Sequence, residues 1–156
     1  MSIKEFIYIF FISMLPVVEL RGSLIYASAA DVDYLPALAV SVLGNMIPVP
    51  FILLFFRFIL KLFSEIKYIG PFLKKILFRA GKKAEKIGKY ELLGLYLFVA
   101  IPLPGTGAWT GALVANILKL PIRKALVAIL LGVCTSGLIM GALAYMLPDF
   151  FRTVFK

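Results

Sequence analysis

The chain has 156 residues, 62% of them hydrophobic, and its 17 basic against 8 acidic side chains give a net charge of +9. Its mean hydropathy is +1.01. A soluble globule this small buries too little surface to hide such an apolar surplus, so composition excludes that class and points to a single-domain (1–156) helical integral membrane protein.

A helix needs about 20 mostly apolar residues to cross the hydrocarbon core. The first apolar stretch, Phe6 to Ala30, is interrupted midway by Pro16, Glu19, Arg21 and Gly22. It has no A-x-A-like cleavage site, so a removable signal peptide is not expected. The arms on either side of the break are too short to cross alone, and they predict a re-entrant helical hairpin whose tip is buried in protein or faces a water-filled cavity. Pro36 to Phe56 is apolar except for Ser41 and Asn45 and reads as a spanning helix, kinked at Pro48 and Pro50 where backbone donors are missing. From Ser64 to Glu91, apolar residues at Phe72, Leu73, Ile76, Leu77 and Ala80 alternate at helical spacing with Lys74, Lys75, Arg79, Lys82, Lys83 and Lys86. This predicts a basic amphipathic helix on the cytoplasmic membrane surface, or else a solvated cytoplasmic loop helix. Leu92 to Leu118 is broken by Pro102, Pro104, Gly105, Thr106 and Gly107 and predicts a second hairpin. Ala125 to Leu147 is a second spanning helix, with Gly137 and Gly141 at the spacing that lets helix backbones approach closely.

The order recurs. Pro16, Pro36 and Leu43-Gly44 are followed 86, 85 and 88 residues later by Pro102, Pro121 and Leu131-Gly132. The expected fold is therefore all-α: two inverted repeats (about 5–60 and 91–148), each a re-entrant hairpin followed by a transmembrane helix, joined by the amphipathic connector (about 64–90). With hairpins, thirteen basic residues fall inside and three outside, and both termini lie outside. Four full crossings give the same thirteen-to-three count, so the hairpins rest on the mid-segment breaks.

Glu19 and Arg21 are the only charged residues inside apolar membrane stretches, where an unpaired, dry charge costs several kcal/mol. They read either as a proton-titratable carboxylate beside an anion-binding guanidinium, or as a structural ion pair closing the tip. The second tip, running from Pro102 to Thr110, offers the hydroxyls of Thr106 and Thr110, the Trp109 indole, and amides exposed at Gly105 and Gly107. Free amides at a helix start suit a phosphate or carboxylate, although a tight turn needs the same glycines. Gly22 at the first tip has the same two readings. No histidine or acidic cluster is present to act as base or hold a metal, and Cys134 is alone, so no enzyme activity, metal or cofactor is expected.

Pro16-Val17-Val18-Glu19-Leu20-Arg21-Gly22, Gly44-Asn45 with Pro48-Val49-Pro50, and Ile101 to Trp109 resemble the motifs of the small multidrug export protein family. That family is distantly similar to the DedA/VTT membrane proteins. The resemblance implies paired re-entrant hairpins, movement of phospholipid or polyprenyl-phosphate carrier lipid, and proton coupling. It would match Glu19 to the hairpin carboxylate and Arg123 to a basic residue of the second half. The leading expectation is a transporter or flippase for an anionic amphiphile in the cytoplasmic (inner) membrane. Anionic lipid head groups, protons and another copy of the chain in a homodimer would be its partners, and nucleic acid would not. Proton-coupled export of small drugs or solutes, and a non-transporting structural or assembly role, are the alternatives.

Overall fold

A computed structural model describes residues 2–64 and 90–146; the connector (65–89) and the last ten residues, with Arg152 and Lys156, lie outside the described residues. Among the described residues all regular structure is helical: α1 (Ile3–Met14), α2 (Glu19–Ala29), α3 (Tyr34–Met46), α4 (Pro48–Ser64), α5 (Tyr90–Ala100), α6 (Ala108–Ile117) and α7 (Ile122–Met146).

Two segments, Tyr34–Phe56 and Ile122–Tyr145, are long and apolar enough to cross a membrane. The first is divided at Ile47, where Pro48 and Pro50 bring no backbone donors to the helix, although Ile47 itself keeps helical dihedrals (φ −57°, ψ −50°). The other four helices have 10 to 12 residues and span only about 15–18 Å, half a hydrocarbon core. Each broken stretch of the sequence is thus a pair of short helices, α1–α2 and α5–α6.

The packing is that of a protein solvated by lipid. The core is dominated by small residues such as Ala27, Ala37, Ala108, Ala112, Ala115, Ala125 and Ala144, while Leu35, Leu43, Phe51, Phe55, Val127, Leu131 and Leu138 face outward. Small residues let helices approach closely where lipid supplies no hydrophobic drive to pack. Gly44 and Gly132 mark two such approaches. A Cβ on Gly44 would lie 2.6 Å from the Phe10 carbonyl of α1, and one on Gly132 would lie 2.9 Å from the Tyr96 carbonyl of α5. Gly137 and Gly141 give α7 close contact with Leu38 and Tyr34.

The two halves share a local structure. After α2, Asp31 takes a left-handed conformation (φ 55°), Val32 N–H donates to Ala27 O (2.9 Å) and Asp31 N–H to Ser28 O (3.2 Å). After α6, Lys119 takes φ 55°, Leu120 N–H donates to Ala115 O (2.9 Å) and Lys119 N–H to Asn116 O (3.1 Å). Both are Schellman caps, 88 residues apart, that turn the chain into a long helix. Pro36 and Pro121 are not equivalent in this register: Pro36 is inside α3, whereas Pro121 precedes α7. Packing is reciprocal as well, since α2 packs on α7 while α6 packs on α4 and α7.

Candidate functional site

The turns that join α1 to α2 and α5 to α6, the two tips, are hydrogen-bonded to each other, and the site is built where they meet. The first tip is a four-residue turn, Leu15 to Val18, leading into Glu19. Glu19 is 6% exposed and holds a left-handed backbone conformation (φ 51°), unusual for a residue with a side chain. Such strain costs on the order of 1–3 kcal/mol and collects at functional sites. It aims the carboxylate at the second hairpin, where Oε2 accepts from Ala108 N–H (3.3 Å) and Oε1 from Trp109 N–H (3.2 Å). These are orphan amides of the first turn of α6, and the positive end of that helix suits a carboxylate. Gly107 makes the approach possible, because any Cβ there would collide with the Glu19 carboxylate.

Arg21, about half a turn further into α2, addresses the opposite side of the break. Its Nη1 donates to Leu103 O, and its Nη2 to Thr106 O, to Thr106 Oγ1 (3.1 Å) and to Ile101 O (3.3 Å). Ile101 and Leu103 follow the end of α5, so the guanidinium meets carbonyls freed where that helix stops. Thr106 completes the knot, its single Oγ1–H lying within reach of both Ile101 O (2.7 Å) and Leu103 O (2.9 Å). The second hairpin answers in kind: the Trp109 indole N–H donates to Met14 O (3.2 Å), the last carbonyl of α1. Thr110 Oγ1 accepts from Gly107 N–H (2.8 Å). Three of the four helix ends at the tips are therefore satisfied from across the interface.

The structure thus brings Glu19, Arg21, Thr106, Gly107, Trp109 and Thr110 together and leaves three other candidate residues apart. Gly105 (φ 81°) supplies the left-handed bend of the second tip and has open space around it. Gly22 faces Val18 of its own helix. Arg123 lies with Lys124 beside an apolar groove along α5 and α7, lined by Leu92, Tyr96, Val127 and Leu131. Among the described residues Glu19 takes its donors from α6 rather than from Arg21, so an intimate ion pair closing the first tip is not what is seen.

Two residues of the neighbourhood were not among the candidates: Asn45, which interrupts the first apolar span within the Gly44-Asn45 motif, and Ser136, which with Thr135 interrupts the second. They line one small cavity with Glu19 and Arg21. A polar residue deep in a spanning helix is the signal that marks them. Among the described residues no group of His, Cys, Asp and Glu able to hold a metal occurs.

No curated protein and no solved structure matches the chain. Residues 19–139, which begin at Glu19 and include both tips' polar residues, match the family described as "Putative small multi-drug export protein", and the chain belongs to that family of membrane proteins.

Proposed function

We propose that the protein is a proton-coupled transporter or flippase for an anionic amphiphile, with a lipid phosphate such as a phospholipid or polyprenyl-phosphate carrier as substrate. The observation that carries this reading is the Glu19 carboxylate seated on the α6 amides. Those amides, at a positive helix end, are also the natural seat for a phosphate or carboxylate. Protonating Glu19 removes its charge and weakens its hold on them, so proton uptake frees the seat for the substrate's head group. Arg21 keeps the broken backbone of the second tip assembled and adds positive charge beside the seat. Arg123 and Lys124, beside their apolar groove, suit the approach of a lipid whose chains lie against Leu92 and Leu131.

The architecture we infer is two inverted repeats, each a re-entrant hairpin and a spanning helix, multi-pass in the cytoplasmic membrane with both termini outside. Half-length helices, paired Schellman caps and reciprocal packing support it, as does the resemblance to the DedA/VTT proteins. In a Cys134→Ser background, Ile3→Cys and Gly70→Cys should label from opposite sides of the membrane; labelling from one side refutes the arrangement.

Proteoliposomes carrying a fluorescent lipid phosphate test the function. The wild type should move the lipid between leaflets with a rate that depends on pH. Glu19→Gln, which keeps the shape and loses the titration, should abolish either the pH dependence or the movement while still inserting. The family's description favours a second reading, multi-drug export, to which we add exchange for protons through Glu19. A cationic dye in the same vesicles distinguishes it, and movement of neither compound points to a non-transporting structural role.

A further inference from the structure

Asn45 on α3 and Ser136 on α7 are 2% and 3% exposed, so both side chains are withdrawn from lipid and water. Among the described residues neither Asn45 Oδ1 nor Ser136 Oγ has a hydrogen-bond partner. Buried polar atoms are almost always paired, and two orphans at one place need a physical reason. Both line the cavity that also holds Glu19, Arg21 and Gly107, walled by the apolar Val99 and Val133. The cavity has room for about one water molecule.

The charges around it narrow the occupant. Glu19 and Arg21 are the charged groups among its described lining residues, and they are of opposite sign. A cation would face the guanidinium and an anion the carboxylate, whereas a neutral, small donor and acceptor offends neither. Hydrogen-bond arithmetic agrees. A buried water typically makes about three hydrogen bonds. One water can donate to Asn45 Oδ1, donate to the Glu19 carboxylate, and accept from the Ser136 hydroxyl.

We propose that Asn45 and Ser136 hold one internal water against Glu19, forming a site shared by α2, α3 and α7. The same site serves the protonated form. With a proton on Glu19, its O–H donates to the water, and the water donates to Asn45 Oδ1 and, after rotation of one hydroxyl, to Ser136 Oγ. The water keeps three hydrogen bonds in both forms, so the carboxyl can change charge without losing it. Asn45 and Ser136 are positioning residues that act on Glu19 through this water. The site stands on geometry alone and does not require that the protein move any substrate.

Infrared difference spectra of the full-length protein in lipid, recorded between low and high pH, test it. The Glu19 carboxyl band is identified by its loss in Glu19→Gln. In the wild type a water O–H band that shifts in water labelled with heavy oxygen should accompany it. Ser136→Ala and Asn45→Leu should each abolish that water band and move the Glu19 C=O band to higher wavenumber, as loss of a hydrogen bond does. Ser136→Ala is the smaller change and decides the matter if Asn45→Leu does not fold. Absence of a heavy-oxygen-sensitive band in the wild type, or an unmoved Glu19 band in the variants, overturns the proposal. So does a wild-type Glu19 band that moves when sodium replaces N-methylglucamine, since the occupant would then be a cation.

Discussion

The two hairpin tips solve one problem by opposite means. The first reverses in four residues and carries charge; the second needs seven, Ile101 to Gly107, and carries none. What the second tip offers is backbone: amides at the start of α6 and carbonyls at the end of α5. The first tip answers with one side chain of the right sign for each, Glu19 for the amides and Arg21 for the carbonyls. The difference teaches that a charge inside a membrane protein need not be matched by an opposite charge. A broken helix presents partial charges of both signs within one loop, and hydrogen bonds between ionised groups and backbone contribute about 1.5–3 kcal/mol each.

If this division of labour is correct, removing the cation is the most damaging change. Arg21→Leu leaves the carbonyls of Ile101, Leu103 and Thr106 without their shared donor. It should lower unfolding stability in detergent by about 3 kcal/mol, as losing several hydrogen bonds from a half-buried charged donor does. The comparison is sharpened by Glu19→Leu combined with Arg21→Leu. Each residue holds its own backbone partners, so the double variant should be less stable than either single one. Recovery to wild-type stability would instead mean that the two side chains act as one ion pair. Next in size is Gly107→Ala. The added methyl must displace the Glu19 carboxylate from the α6 amides, at about 2 kcal/mol by overpacking, read from the thermal midpoint. Gly105→Ala is its control: with open space around it, only the left-handed backbone is penalised, at about 1 kcal/mol. The smallest effect belongs to the corner after α6. Lys119→Gly should leave stability within about 1 kcal/mol of the wild type, in the stabilising direction.

Much of this was legible in the residues. Pro16 through Gly22 and Pro102 through Gly107 announce interruptions because proline lacks a donor and intramembrane charge is costly, and both breaks fall at the tips. The two long apolar runs coincide with the two segments long and apolar enough to span, each of which starts two or three residues earlier than composition marks. The hidden part is the partnership across the tips. Nothing in the spacing of Glu19 and Arg21 says that each will find backbone more than 80 residues away, because pairing at that separation is a property of packing. The separation of 85 between Pro36 and Pro121 illustrates the same limit: both prolines lie near a helix start, but three residues of register separate their roles. Arg123 is a like case, a basic residue beside a lipid-facing groove rather than at the tips. Asn45 and Ser136 were visible as polar interruptions, and only the fold shows that they meet around Glu19.

The left-handed corners after α2 and α6 carry a consequence of a different kind. They are interchangeable as backbone, with the same φ and the same pair of hydrogen bonds, yet one is occupied by an aspartate and the other by a lysine. At these two corners, therefore, backbone geometry does not distinguish one half from the other. The distinction there lies in the side chains: an acid stands at one corner and a base at the other, so the two turns are alike in shape and opposite in charge.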